Sequence, residues 1–279
     1  MTHLETKAME IRRLIFKTIC NAGGGHLPAC LSMTDILTVL YHGILRVDPK
    51  NLKDPDRDRF ILSKGHGGVA LYAVLADKGF FGMEHMATHG KKGTILGGHP
   101  DMHKVPGVEA STGALGHGLP FAAGIALAAK KDSKKYRTFV VLGDGECQEG
   151  SIWEAAMFAP QLKLDNLIVI VDYNKLQAMD AHDKIIAIEP FADKWRAFGW
   201  AVEEVDGHDI GALKALLQRV PFVKDKPSCV IAHTVKGKGI SYMENVPLWH
   251  YRQPKPDEMK AACKDLGVPE AELDLLARA

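Results

Sequence analysis

An aspartate and an asparagine that follow apolar segments are the residues of this sequence with the most specific chemistry. Asp144 comes shortly after the apolar run 138–142, and Asn174 stands thirty residues further along, after a second such run. Their carboxylate and amide oxygens are hard ligands, which suit Mg²⁺ or Ca²⁺ and not zinc. Gly143 and Gly145 flank the aspartate, and a glycine lets the backbone approach a phosphate without a Cβ in the way. These residue types and this spacing predict a site for Mg²⁺ and a diphosphate.

Other sequence motifs that would indicate a different chemistry are absent. The chain has no G-x-x-x-x-G-K-[ST], no G-x-G-x-x-G and no G-x-S-x-G, which argues against a P-loop, a dinucleotide fingerprint and a nucleophile elbow. His85 and His89 stand four residues apart, as do His99 and His103, but Pro100 interrupts the second pair. No third ligand stands near the first pair, so we do not expect a zinc site.

The elements that must position these residues alternate between strand and helix. Apolar runs predict strands at 59–62, 138–142, 166–171, 201–205 and 228–233, with helices at 68–77, 116–131, 151–162, 190–198 and 210–219. Two helices precede them, the second capped by Thr34 and Asp35, and further helix patterns occur at 258–266 and near the C-terminus. This alternation predicts an α/β fold, a doubly wound parallel sheet with helices on both faces.

Clusters of Gly, Asp, Asn or His follow all five predicted strands, at 63–68, 143–150, 172–176, 206–209 and 234–239. Each cluster alone is explained by its turn residues. In a doubly wound sheet, however, ligands bind at the carboxyl ends of the strands. A right-handed crossover also brings the loops with Asp144 and Asn174 side by side. The five clusters together therefore predict a functional rim.

Composition excludes several classes of partner. The chain has 279 residues, 46% hydrophobic and 25% charged, and its 35 basic and 34 acidic residues give a net charge of +1. A net charge this close to zero provides no electrostatic field that would attract nucleic acid or an anionic membrane. The N-terminus lacks the apolar core of a secretory signal, and no apolar run is long enough to span a bilayer. The odd number of cysteines, without C-x-x-C, predicts free thiols and a cytoplasmic protein: Cys20, Cys30, Cys147, Cys229 and Cys263.

A series of motifs gives the sequence a family resemblance. Gly143-Asp144-Gly145 followed by Asn174 resembles the thiamin diphosphate-binding motif, and residues 143–157 resemble its transketolase version. Further stretches similar to transketolase are 24–26, 63–66, 98–100, 111–118, 206–209 and 236–239. Gly-Asp-Gly alone is weak, but this ordered series, from about residue 5 to 255, is specific to the transketolase family.

The resemblance implies thiamin diphosphate and Mg²⁺ (or Ca²⁺ or Mn²⁺) as cofactors. Asp144, Asn174 and the backbone carbonyl of Leu176 match the metal ligands. The cofactor-binding positions that it implies are His66, Gly113, Leu115, Gly116, Gly143, Asp144, Gly145, Glu146 and Asn174. Within this set, main-chain groups of Gly145 and Glu146 would meet the diphosphate.

The resemblance also implies catalytic and assembly residues. His26, His99 and His250 match histidines that line the substrate channel. Histidine suits proton transfer to hydroxyl and carbonyl oxygens because its pKa lies near neutrality. Glu149 matches a glutamate that helps to link cofactor sites across subunits. The implied reaction passes a two-carbon ketol unit from a ketose phosphate to an aldose phosphate.

A full transketolase has two more domains than this sequence covers. We expect residues 1–279 to form a single diphosphate-binding domain, with 256–279 as an extension of unassigned role. The resemblance then implies the N-terminal subunit of a split transketolase. Its partner chain would carry the pyrimidine-binding and C-terminal domains, in a heterotetramer that acts on sugar phosphates. The sequence does not identify which sugars.

Three alternatives stay open at this point. The α subunit of a 2-oxo acid dehydrogenase also carries Gly-Asp-Gly and Asn in a split chain, although His26, His66 and His99 favour transketolase. A fragment of deoxyxylulose phosphate synthase is disfavoured by residues 98–100. A non-catalytic partner that only assembles or regulates would not need Asp144.

Overall fold

A five-stranded parallel sheet forms the centre of the computed structural model, which describes residues 1–273. The strands are β1 (Arg59–Leu62), β2 (Thr138–Gly143), β3 (Leu167–Tyr173), β4 (Ala201–Asp206) and β5 (Ser228–His233). Their order across the sheet is β1-β2-β3-β5-β4, and every neighbouring pair is parallel. The parallel α/β fold predicted from the sequence is confirmed.

Ten α-helices cover the sheet within the described residues. They are α1 (His3–Ala22), α2 (Leu27–Ser32), α3 (Thr34–Val39), α4 (Gly68–Lys78), α5 (Gly118–Lys131), α6 (Gly150–Gln161), α7 (His182–Ile185), α8 (Phe191–Ala197), α9 (Ile210–Leu217) and α10 (Pro256–Leu266). Short 3-10 turns and one π-helical turn, Leu40–Ile44, complete the connections.

Two apolar cores lie on opposite faces of the sheet. Phe139, Val141 and Ile168 join the core formed with α1, α3, α4, α9 and α10. Val140 and Val169, which alternate with them along the strands, join the core formed with α5, α6 and α8. Since successive side chains of a strand point to opposite faces, β2 and β3 are apolar on both faces, as buried parallel strands are. Both strands are therefore buried along their full length.

The N-terminal helical region differs from the sequence prediction in two ways. Helix α2, which begins at Leu27 with Pro28 in its first turn, was not predicted. Thr34 and Asp35 do not cap a helix, because α2 leads almost directly into α3 and Met33 takes the cap position. The Thr34 hydroxyl donates to the carbonyl of Cys30 at 3.0 Å instead, the i−4 bond that threonine makes inside helices.

The C-terminal region packs against α1. Buried residues of α10 join the same core as α1, and Arg13 Nε donates to the carbonyl of Leu266 at 2.7 Å. Residues 256–266 thus form the predicted helix, whereas the part of the second predicted helix beyond residue 273 lies outside the described residues. All five cysteines are buried and free, as predicted. No helix of residues 1–273 combines the length and the apolar character needed to cross a membrane.

Asp58 joins the amino ends of two strands. Its carboxylate, fully buried, accepts bonds from the backbone nitrogens of Arg46 at 3.0 Å and Arg137 at 2.9 Å. The guanidinium groups of the same arginines bind it at 2.9 Å and 2.6 Å. Burial alone would raise the pKa of Asp58, but the bonds from Arg137 and Arg46 outweigh it and lower the pKa.

We expect Asp58→Asn to lower the free energy of unfolding by about 3 kcal/mol, because at this fully buried position the amide nitrogen would face the donors of Arg46 and Arg137 and leave them without an acceptor. Asp56→Asn is the matched control, since Asp56 pairs with Lys134 on the surface and should cost less than about 1 kcal/mol. Urea unfolding of both variants measures the difference. Equal stabilities for the two variants would contradict the structural role of Asp58.

Candidate functional site

A cavity of about 190 Å³ opens at the carboxyl ends of the strands, where the sequence predicts the functional rim. Its walls bring together most of the predicted cofactor and metal residues with four that were not predicted, Lys64, Gln177, Ala178 and Lys236. The lining residues are Lys64, His66, Leu115, Gly143, Asp144, Gly145, Glu146, Asn174, Leu176, Gln177, Ala178, Lys236 and His250. A larger and more open depression of about 650 Å³ lies at the amino ends of the strands and contains none of the predicted site residues.

Asp144 and Asn174 lie in adjacent loops. One carboxylate oxygen of Asp144, Oδ2, accepts a bond from the backbone nitrogen of Lys175 at 2.6 Å, which ties the loop after β2 to the loop after β3. The other, Oδ1, accepts from the backbone of Gly145 at 2.8 Å. Asn174 turns its own oxygen toward the backbone of Leu176, at 3.1 Å. Both side chains are buried, so their oxygens are held in place before any ligand binds.

Lys236 places a positive charge beside the loop that follows Asn174. Its ammonium group donates to the carbonyls of Leu176 at 3.2 Å and Gln177 at 2.9 Å, and lies 2.9 Å from Nδ1 of His250. No carboxylate of residues 1–273 forms an ion pair with it. Burial first, and then the charge of Lys64, lowers the pKa of Lys236 to about 8. The motif 236–239 pointed to this segment, but only the tertiary structure shows that the lysine enters the cavity.

The donor atoms fit a small divalent cation. Asp144, Asn174 and Leu176 all line the cavity, and the carbonyl of Leu176 accepts a hydrogen bond from the ammonium of Lys236. Residues 1–273 contain no group of three His, Cys, Asp or Glu side chains that would hold a metal unaided. An ion bound by Asp144, Asn174 and Leu176 must therefore take further oxygens from a ligand and from water, as Mg²⁺ does with phosphates.

Glu146 joins three loops beneath the cavity. One carboxylate oxygen, Oε1, accepts bonds from the hydroxyl of Ser63 and from the backbone of Gly116, the latter at 2.9 Å. The other accepts from the backbone of Gly143 at 3.0 Å. Burial raises the pKa of Glu146, and the bonds from these three donors oppose that effect. The prediction for Glu146 concerned its main chain, whereas the side chain has a structural task that the sequence did not indicate.

Close backbone packing explains two of the glycines in the predicted motifs. Gly113 has φ +147°, and a Cβ there would approach Cδ2 of His99 to 2.9 Å. A Cβ on Gly65 would meet the backbone nitrogen of Gly113 at 2.6 Å. The loop after β1 therefore packs directly on the loop that carries Gly113, which orients both His66 and His99.

Four histidines from separate loops meet beside the cavity. The ring centroid of His26 lies 5.3 Å from that of His66, 5.4 Å from His250 and 6.4 Å from His99. Tyr251 packs against His26 at 4.9 Å. Their roles stay predictions, but the structure brings all four together.

The environment keeps most of this cluster uncharged. Burial, followed by the charges of neighbouring basic groups, lowers the pKa of His26 to about 4 and that of His250 to about 3. The pKa of His66 also lies well below its ordinary value, because burial and the charge of Lys64 disfavour protonation. A neutral imidazole has one donor and one acceptor nitrogen, so these rings can both give and take hydrogen bonds at neutral pH.

A buried ion pair lies below the histidines. The Lys64 ammonium binds Asp172, and it also donates to Ser32 Oγ and the carbonyl of Ala29, both at 3.1 Å. Asp172 accepts further bonds from the hydroxyls of Ser32 and Thr234. Although burial would raise the pKa of Asp172, the charge of Lys64 outweighs it and lowers the pKa. The pair joins α2 to the loops that follow β1 and β5.

We expect Glu146→Ala to lower the free energy of unfolding by about 3–5 kcal/mol, because three buried donors would lose their acceptor together. Glu149→Ala is the matched control three residues away, where the exposed side chain should change stability by less than about 0.5 kcal/mol. Urea unfolding at neutral pH checks both values. A Glu146→Ala protein as stable as the control would show that the three loops do not depend on this carboxylate.

Comparisons with known proteins agree with this geometry. The family model described as "Transketolase, thiamine diphosphate binding domain" matches residues 4–275. An apulose-4-phosphate transketolase subunit of Actinobacillus succinogenes is 48% identical over 264 residues, which cover 94% of this chain and 95% of that protein. A 6-deoxy-6-sulfo-D-fructose transketolase subunit of Clostridium sp. (strain MSTE9) is 42% identical, covering 94% and 96%.

Solved structures show the same relation. Transketolase from Pichia stipitis, in a complex with sedoheptulose-7-phosphate, superposes with a TM-score of 0.90 at 30% identity. The match covers 98% of this chain but 43% of that one. The fold, the cavity and these similarities lead to one conclusion: the chain belongs to the transketolase family and corresponds to its thiamine diphosphate-binding domain.

Proposed function

We propose that this chain is the thiamin diphosphate-binding subunit of a two-chain transketolase, in which a partner chain completes the active site. The observation that carries the proposal is a cavity lined by hard oxygen ligands from two strand ends and bordered by a cluster of histidines, of which His66 and His250 line the cavity itself. The relatives named as transketolase subunits have almost the same length as this chain, which supports a split enzyme. We infer that residues 1–279 act as one domain, in the cytoplasm.

Different residues of the cavity would bind the metal ion and the diphosphate of the cofactor. Asp144, Asn174 and the carbonyl of Leu176 would hold Mg²⁺, which in turn binds the diphosphate. Lys236 and His66 also line this cavity and would contact phosphate oxygens, because the charge of Lys236 has no carboxylate partner in residues 1–273. When bound, the cofactor serves as the electron sink for cleavage of a ketose carbon–carbon bond.

The histidines would handle the sugar. His26, His99 and His250 surround the space next to the cavity, and His99 stands at its exposed edge. Neutral imidazoles donate and accept hydrogen bonds, so these rings would orient the hydroxyl and carbonyl oxygens of a sugar. The low pKa values of His26 and His250 keep both rings neutral at neutral pH and make them hydrogen-bonding groups rather than strong proton acceptors.

Exposed apolar side chains around the cavity support a partner. Leu115, Leu248, Met179 and Tyr251 leave 42%, 68%, 85% and 68% of their surface exposed. Their backbones lie in or next to the lining segments, so they form an apolar rim around a polar cavity. Such a rim marks an interaction site, and the pyrimidine-binding domain of a partner chain fits it. Glu149 is exposed at the start of α6, where it can reach another protein chain.

The named relatives indicate the class of substrate, but they do not identify the individual sugar. The two subunits compared above are named for apulose 4-phosphate and for 6-deoxy-6-sulfo-D-fructose, which are different sugars with an anionic group. We propose a phosphorylated or similarly anionic ketose as donor and an aldose phosphate as acceptor. The resemblance to these subunits disfavours a 2-oxo acid dehydrogenase.

Reconstitution tests the proposed function. The purified chain, mixed with the chain encoded beside it that carries the pyrimidine-binding and C-terminal domains, should transfer a two-carbon unit when Mg²⁺ and thiamin diphosphate are present. A panel of ketose donors and aldose acceptors, followed by NMR of the products, identifies the reaction. The chain alone should show no turnover, because half of the active site is missing.

Three outcomes would contradict the proposal. Full activity of the chain alone would remove the need for a partner. Release of CO₂ from a 2-oxo acid by the assembled complex, without ketol transfer, would assign it to the dehydrogenase class. An assembled complex that binds neither cofactor would support a non-catalytic role.

Asp144→Ala in the assembled complex tests the metal site. Loss of a charged ligand should weaken Mg²⁺-dependent binding of thiamin diphosphate by at least roughly 100-fold, the upper range seen when groups that only orient a ligand are lost. Calorimetry measures the affinity, with Asp193→Ala as the control because that exposed carboxylate pairs with Arg196 away from the cavity. Unchanged affinity in Asp144→Ala would rule out the proposed ligand set.

A further inference from the structure

His182 is a buried histidine whose ring has no hydrogen-bond partner. It is the first residue of α7 and is 6% exposed. Neither Nδ1 nor Nε2 makes a hydrogen bond, although both atoms are shielded from solvent. A buried polar group without a partner is costly, so its presence calls for an explanation outside stability.

The ring lies directly against the proposed metal ligand. Nε2 of His182 is 3.5 Å from Oδ1 of Asp144. Among the Lys, Arg and His side chains of residues 1–273, it is the one with a nitrogen within 4.0 Å of this carboxylate. The other contacts of Asp144 come from the backbones of Gly145 and Lys175.

The chain places His182 there by folding the β3–α7 loop back on itself. Leu176 forms a β-bridge with Ala181, and Gln177 donates its backbone N–H to the carbonyl of Asp180 at 2.9 Å. The backbone of His182 then donates to the carbonyl of Lys175 at 3.1 Å. The same loop therefore supplies two proposed metal ligands, Asn174 and Leu176, and returns to set a histidine beside the third.

The ring also separates two cavities. Asp144 lines the cofactor cavity, whereas His182 lines a neighbouring one of about 290 Å³. Tyr173, Lys175 and Glu189 form other walls of this second cavity. The imidazole thus forms the back of the metal site, on the side of Asp144 away from the cofactor cavity.

From these contacts we propose that His182 is a positioning residue, which holds the Asp144 carboxylate in the orientation that a divalent cation requires. The proposal rests on the metal site of the proposed function. The backbones of Gly145 and Lys175 each hold one oxygen of Asp144, and a proton on Nε2 of His182, 3.5 Å from Oδ1, would close to a third bond that restrains the carboxylate when a cation binds. Groups that orient a metal ligand in this way contribute roughly 10–100-fold to metal affinity as a rule.

Stability and metal affinity should change in different directions when the ring is replaced. His182→Leu removes both unpartnered nitrogens and keeps an apolar side chain of similar bulk, so the thermal midpoint should stay the same or rise. The same variant should bind Mn²⁺ roughly 10–100-fold more weakly, because Asp144 loses its orienting group. A merely structural role predicts the reverse, with lower stability and unchanged affinity.

The experiment measures Mn²⁺ binding by electron paramagnetic resonance in the assembled complex with thiamin diphosphate. His182→Gln, whose amide can donate a hydrogen bond in place of the imidazole N–H, should restore most of the affinity lost in His182→Leu. His233→Leu is the control, because His233 pairs with Glu204 at 2.9 Å outside the cofactor cavity. It should leave Mn²⁺ affinity unchanged.

The outcomes separate this inference from the proposed function. Tight Mn²⁺ binding by the unmodified complex with equal binding by His182→Leu overturns the role of His182 and leaves the metal site intact. A failure of His182→Gln to recover affinity also overturns it, since the donor would then be irrelevant. Absence of Mn²⁺ binding in the unmodified complex overturns both proposals.

Discussion

The carboxylate of Glu146 is the interaction on which the arrangement of this site depends. Ser63 and Gly116 lie in two loops distant from Glu146 in the sequence, Gly143 ends β2, and each of the three donates a hydrogen bond to the same buried side chain. Parallel strands deliver these loops to one edge of the sheet but do not determine the spacing between them. One charged acceptor shared by three donors sets that spacing, because leaving any of them unpaired in the interior is unfavourable.

Charge is distributed around the cavity in a way that favours an anion. Lys64 is neutralised by Asp172 deep in the fold, whereas the hydrogen-bond partners of the Lys236 ammonium among residues 1–273 are two carbonyl oxygens and an imidazole. Burial among these cations keeps His26 and His250 uncharged. An arrangement with an unneutralised ammonium and several neutral rings is poorly suited to stability but well suited to bind a diphosphate and a sugar. Functional sites commonly carry such perturbed groups.

The cavity is also incomplete as a reaction site. Polar groups line its floor, while exposed apolar side chains such as Leu248 and Tyr251 surround its opening. A water-exposed cavity weakens every electrostatic interaction within it, so chemistry here needs a cover. The apolar rim provides the surface on which a second protein can form that cover. The exposed apolar opening thus supports the proposed partner independently of the similarity to transketolase subunits.

The sequence alone determined the sheet and the adjacency of the two loops that carry the proposed ligands. Strand segments such as 138–142 and 166–171 are apolar on both faces, as expected of buried parallel strands, and the structure has strands there. The adjacency of Asp144 and Asn174 followed from the geometry of a right-handed crossover. The ordered motifs also indicated the transketolase family. Turn formation explains each motif alone, but it does not require the motifs to follow one another in this order.

Only the tertiary structure decided which contacts the side chains between these strands and motifs make. The Lys64–Asp172 pair joins residues 108 positions apart, and the Ser32–Asp172 bond spans 140. Neither contact has a local signature, because periodicity and turn chemistry report on neighbours in sequence. The same holds for Glu146, whose side chain serves loops that its own segment does not contain, and for His182, which reaches Asp144 through a folded loop. Thr34 shows that even a local prediction from sequence can fail. Its residue type favours an N-cap, but α2 ends directly before α3, so that Met33 occupies the cap position and Thr34 lies inside the helix.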